Sequence, residues 1–171
     1  MKKIILILLL IIVAGIYKFN FTDDDVSAVQ NGDDAASLND TQEKSSKGVV
    51  NLSNQGLNQI PSYVFNRVNT EELNVSNNSL IGSIQAEIRH LSNLKILNAS
   101  NNNMTGLPAE VGQLQKLEVL DLSNNNLTGL PNELGNLDNL KILNLSGNEY
   151  SKHDLDIIRE SLPSTTNIIT D

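Results

Sequence analysis

Apolar and polar residues follow three regimes along this chain. Ile4 to Tyr17 is an almost unbroken apolar run, Thr22 to Lys47 is nearly devoid of large aliphatic residues, and from Val49 onward aliphatic residues return on a fixed period. Setting Val50, Leu73, Leu97, Leu120 and Leu143 in one column gives spacings of 23, 24, 23 and 23 residues. Two positions on stand Leu52, Val75, Ala99, Leu122 and Leu145; five on stand Gln55, Asn78, Asn102, Asn125 and Asn148; seven on stand Leu57, Leu80, Met104, Leu127 and Tyr150. A self-similarity of this length marks a stacked-repeat architecture, in which one unit cannot bury its apolar face without the next.

The alternation within each unit predicts a short parallel strand. Leu120 and Leu122 point into the core, while Val119, Asp121 and Ser123 point away from it. The amide five positions on stands where the backbone leaves the strand and loses its partners, a place suited to a carboxamide that both donates and accepts. Ile60-Pro61, Leu107-Pro108 and Leu130-Pro131 then end ladder pairing. Apolar residues at helical spacing, such as Leu134, Leu137 and Leu140, predict helical turns or irregular backbone on the return path.

These residues resemble the leucine-rich repeat family, whose phrase L-x-x-L-x-L-x-x-N-x-L is matched by LEVLDLSNNNL from Leu117 to Leu127 and LKILNASNNNM from Leu94 to Met104. LTGLP and LIGSI are similar to the plant-type repeats of that family. The resemblance implies an α/β fold: a right-handed solenoid with a short parallel concave β-sheet, an irregular or helical-turn convex side and a ladder of asparagines, here Asn78, Asn102, Asn125 and Asn148. Gln55 departs from that ladder by one methylene. About five repeats occupy residues 48–150, the last of them partial. Residues 151–171 form a C-terminal cap: Ser151 stands at an N-cap position three residues before Asp154, Leu155, Ile158 and Leu162 make an apolar stripe, and Pro163 stops the helix before a short tail through Ile168 and Ile169.

The two earlier regimes bear on location. Residues 1–21 combine Lys2 and Lys3 with a run whose fourteen residues reach about 21 Å as a helix, similar to bacterial export signals. Tyr17, Phe19 and Phe21 at the interface and a weak Val13-Ala14-Gly15 cleavage match favour an uncleaved single-pass anchor, with everything that follows outside the cytoplasm. Secretion after cleavage is the alternative. Residues 22–47 hold seven acids and two lysines and form an acidic linker too poor in apolar surface to order itself, a stalk.

Charge and chemistry narrow the function. The formal charge is -8, and three of twelve basic residues lie in the export segment, so the remainder carries nine basic against twenty acidic residues, or -11. That balance argues against nucleic acid. With no cysteine and two histidines, His90 and His153, set apart from other ligand types, no metal, cofactor or catalytic constellation is expected. The expected function is noncovalent recognition of a protein or glycan by the concave face. Its outward residues are Glu72, Ile96, Val119 and Ile142, then Asn51, Asn74, Asn98, Asp121 and Asn144, then Ser53, Ser76, Ser100, Ser123 and Ser146. Five strands at about 4.8 Å offer a face about 20 Å long, roughly 300 Å² in area, against about 800 Å² per partner in a standard interface. The columns contain no Trp, Tyr or Arg, so a single-face partner is expected to be weak, small or multivalent. A structural or display component that self-associates weakly through the N-terminal edge strand is the alternative.

Overall fold

The computed structural model describes residues 48–171. The proposed anchor and acidic linker lie outside the described residues. In chain order the elements are β1 (Val49–Asn51), the 3-10 helix η1 (Ser62–Asn66), β2 (Glu72–Asn74), β3 (Ile81–Gly82), η2 (Ala86–His90), β4 (Ile96–Asn98), β5 (Asn103–Met104), η3 (Ala109–Gln113), β6 (Val119–Asp121), η4 (Asn132–Asn136), β7 (Ile142–Asn144), α1 (Lys152–Ser161) and β8 (Asn167–Ile169).

Six strands form one parallel sheet in the order β1-β2-β4-β6-β7-β8. The pairing is in register with the sequence period, Val50 to Leu73 to Leu97 to Leu120 to Leu143, and then on to Ile168. The sixth strand is a departure from the sequence expectation, which left these residues in a tail. A second, two-stranded parallel sheet joins β3 to β5, pairing Ile81 with Asn103 and Gly82 with Met104.

The return path is built from 3-10 turns. Pro61, Pro108 and Pro131 precede η1, η3 and η4 in extended conformation, where a fixed φ and a missing N–H cost nothing. Gln85 takes the place in the second repeat and donates from Nε2 to the Ile60 carbonyl at 2.6 Å. Between the layers lies a continuous aliphatic core, with Leu97, Leu120, Leu122, Leu127, Leu134 and Leu143 fully buried. Truncating such a leucine to alanine costs about 2–5 kcal/mol.

The turns stack closely at the C-terminal end. A Cβ on Gly112 would stand 2.1 Å from the Glu133 carbonyl oxygen, and one on Gly135 would stand 2.6 Å from the Ser161 Cβ. The corresponding positions in η1 and η2 are Phe65 and Arg89.

The last turn exchanges its 3-10 helix for α1. Ser151 caps it by accepting from the Asp154 N–H at 3.3 Å, and Leu155, Ile158 and Leu162 bury their stripe. Asp154 does more than sit in a first turn: its Oδ2 accepts from the Leu130 N–H at 3.1 Å, tying the helix to the preceding repeat. After Pro163 the chain returns as β8, held by the Thr166 hydroxyl donating to the Leu140 carbonyl at 2.7 Å.

Candidate functional site

Each turn presents asparagine to two different environments. The inner column is the ladder. Asn102 Nδ2 donates to the carbonyls of Val75, Ala99 and Ser100, and its Oδ1 accepts from the Leu80 N–H. Asn125 does the same with Ala99, Leu122 and Ser123 and with the Met104 N–H. Asn78 and Asn148 repeat the pattern at the two ends. One side chain thus closes its own turn and stitches it to the turn before, satisfying backbone groups that water cannot reach. Gln55 is exposed and takes no part through its side chain; the ladder begins at Asn78. Just before the ladder residue, Asn54, Asn77, Asn101 and Asn124 adopt left-handed backbone with φ of 53° to 61°, and Gly147 follows at 69°. Asparagine tolerates that region better than other residues with a Cβ. The sequence signal for this column is the run of asparagines, Asn101 to Asn103 and Asn124 to Asn126.

The outer column lies on the open face of the sheet. Register brings Asn74, Asn98, Asp121 and Asn144 side by side, with Ile96, Val119 and Ile142 in the row before them and Ser76, Ser100, Ser123 and Ser146 in the row after. All ten expected site residues therefore share one face, and β8 adds Asn167 and Ile169 to it. Their exposure is lower than outward direction alone suggests. Val119 and Asp121 are each 5 % exposed, and Ser76, Ser100 and Ser123 are buried. Burial on this face is thus deepest at β6, with Ile96, Asn98, Ile142 and Asn144 in the neighbouring strands half-buried.

Much of the polarity on this face is spent internally. Asn98 Oδ1 accepts from both the N–H and the hydroxyl of Ser100, at 3.1 and 2.7 Å, Asp121 Oδ1 accepts likewise from Ser123 at 3.0 and 2.7 Å, and Asn144 does the same for Ser146. The i to i+2 bond fixes the side chain against its own strand and preorganises the face.

One rim carries alternating charge. Lys95 Nζ meets Glu71 Oε2, and Lys141 Nζ meets Glu118 Oε2, both at 2.7 Å. Beside this rim the Glu72 carboxyl is pushed above its ordinary value, first by burial and then by Glu71, with Lys95 opposing. Among the described residues no group of three or more His, Asp or Glu side chains is placed to hold a metal ion. His90 and His153 are exposed. No described helix is long and apolar enough to cross a membrane.

The family description "Leucine-rich repeat region" matches residues 48–160. This chain is a member of the leucine-rich repeat family. Solved members of similar structure include a leucine-rich repeat protein of Leptospira interrogans, 40% identical with a TM-score of 0.60 over 64% of this chain and 28% of that one. Another is the ectodomain of the Arabidopsis thaliana receptor kinase GASSHO1/SCHENGEN3, solved in complex with CASPARIAN STRIP INTEGRITY FACTOR 2; it is 32% identical with a TM-score of 0.55, over 66% of this chain and 14% of that one. An internalin of Listeria monocytogenes shares the fold at 22% identity and a TM-score of 0.56, over 65% of this chain and 31% of that one. The leucine-rich repeat chain described here thus spans less than a third of each of these proteins. No curated protein matches the sequence. The family is generally a binding fold without catalysis.

Proposed function

We propose that this protein acts by noncovalent recognition, holding a protein or glycan against the concave face formed by Asn74, Ser76, Ile96, Asn98, Ser100, Val119, Asp121, Ser123, Asn144 and Ser146. The observation that carries this reading is the preorganised outer column: side chains locked through Oδ1 to the serine two residues on, each with its second terminal atom left over. Fixing side chains before a ligand arrives lowers the ordering cost of binding. The receptor-kinase ectodomain found with a bound factor supports the same use of the fold. Residues 1–21 would anchor the chain in the cytoplasmic membrane, or be cleaved on secretion, and residues 22–47 would hold the repeats off the surface as a stalk. No nucleic acid and no cofactor enter this reading.

Photocrosslinking from position 98 of the full-length protein in cells tests it. A discrete adduct that disappears with Asp121→Arg is the expected result. Adducts that persist with Asp121→Arg, or none from a correctly exported protein, would move recognition off this face. An adduct of two copies of the chain would instead identify self-association.

A further inference from the structure

Resting on the concave-face reading above, we infer that the ligand is an extended peptide presenting a lysine or arginine side chain, and that its cation seats against Asp121. The outer column is asparagine in every turn but one: Asn51, Asn74, Asn98, Asp121 and Asn144. In all five turns the same task is done by Oδ1, which accepts the backbone N–H two residues on, from Ser53, Ser76, Ser100, Ser123 and Ser146. Four of the five turns do it with a neutral amide. The fold therefore requires the Oδ1 of this side chain and nothing of the negative charge at residue 121.

Asp121 is only 5 % exposed, and a carboxylate in so covered a place is ordinarily met by a cation or by further donors. Among the described residues its carboxylate is bonded to Ser123 alone, through Oδ1. The ion pairs among the described residues lie elsewhere, joining Arg89 to Glu110, Lys95 to Glu71, Lys141 to Glu118 and Arg159 to Asp156. The outward columns of the face hold two carboxylates, Glu72 and Asp121, and no Lys, Arg or His. Oδ2 of Asp121 thus has no partner among the described residues and is reachable from solvent, so a cation brought by a ligand can match it.

The neighbours select a peptide over a bare amine. To either side in register stand Asn98 and Asn144, at about one strand spacing, or 4.8 Å. With their Oδ1 atoms occupied, they offer Nδ2 donors suited to backbone carbonyls of a ligand. Ile96, Val119 and Ile142 form an aliphatic row beside them, where the methylene stem of a lysine or arginine can lie while its head reaches the carboxylate. A charge-assisted bond formed in such a desolvated place is stronger than one at an open surface.

A random dodecapeptide library selected against the full chain, followed by affinity measurement of the selected synthetic peptides, tests the inference. Expected are peptides with an obligatory Lys or Arg that bind Asp121→Asn at least about tenfold more weakly, or about 1.4 kcal/mol. Replacing that basic residue by citrulline or norleucine should cause the same loss, with no further loss in Asp121→Asn. Because asparagine is the column's own residue, the variant should keep the wild-type melting temperature. Peptides that bind Asp121→Asn and wild type equally, yet are lost in Asn98→Arg, would overturn the cation and leave the concave face as the site. Peptides indifferent to Asn98→Arg, or a selection yielding none, would overturn both.

Discussion

Asn98 and Asn102 stand four residues apart in one turn, and their surroundings differ in every respect that matters to an amide. Asn102 is buried and uses both ends of its carboxamide on backbone groups of two successive turns. Asn98 is half-buried, and only its Oδ1 is engaged, by the serine two residues on. The inner column is held by what the backbone lacks. The outer column has a terminal atom to spare, and that surplus is what a ligand can meet. The same residue type therefore serves stability in one column and, in the proposed function, recognition in the other.

Exchanging Asn for Asp is the sharpest way to break this comparison. In the inner column, Asn125→Asp replaces the donor to the Ala99, Leu122 and Ser123 carbonyls with a charged acceptor. It should lower stability by more than about 3 kcal/mol at neutral pH. Asn125→Ala, which deletes the bonds without adding charge, should cost about 1–3 kcal/mol; chemical denaturation of both variants checks the order, and a wild-type curve for either would refute the ladder's role. In the outer column the reverse exchange, Asp121→Asn, should change stability by less than about 0.5 kcal/mol, since Oδ1 still serves Ser123. A large loss there would mean that the carboxylate is structural after all.

The smallest effect sits at the rim. Burial, reinforced by Glu71, raises the folded-state value of Glu72 above its ordinary 4.5, so the folded protein holds this proton more tightly than the unfolded chain does. Its ionisation therefore opposes folding: the penalty is absent below the ordinary value, grows as pH rises through the raised one, and persists above it. Glu72→Gln should melt slightly higher than wild type at pH 7 and equally at pH 3; a lower melting temperature at pH 7 would show that Glu72 gains more from Lys95 than it loses to burial.

The inner column was legible from sequence because its chemistry repeats at the period of the strands, and the same period placed Leu73, Leu97, Leu120 and Leu143 in one core row. Ser151 and the stripe of α1 were legible from capping and spacing. The strand β8 was not. Asn167, Ile168 and Ile169 carry neither the leucine pair nor the asparagine of the repeat, and their register follows from α1 packing on η4 and from the Thr166 bond to Leu140. The pairing of β3 with β5 is also a tertiary outcome, since two residues are too few to show a strand period. Burial of Val119, Asp121 and Ser123 was hidden for another reason: alternation gives the side of the sheet a residue faces, and its neighbours across the stack decide how deeply it lies. With β8 present, β4 and β6 become the two middle strands, and Asp121 moves toward the floor of the face.

The one-to-one register of the six parallel strands has a consequence for how such a molecule changes over generations. The strand pairing and the asparagine ladder repeat at each internal junction, so a duplication of one repeat unit in the coding sequence, 23 residues at most junctions, would lengthen the protein by one turn, about 4.8 Å, with the same main-chain and ladder bonds at the new junction. Such a chain can grow or shrink in whole turns while its two ends keep their own inventions, and a lone substitution like that at residue 121 can then travel with its turn as a unit.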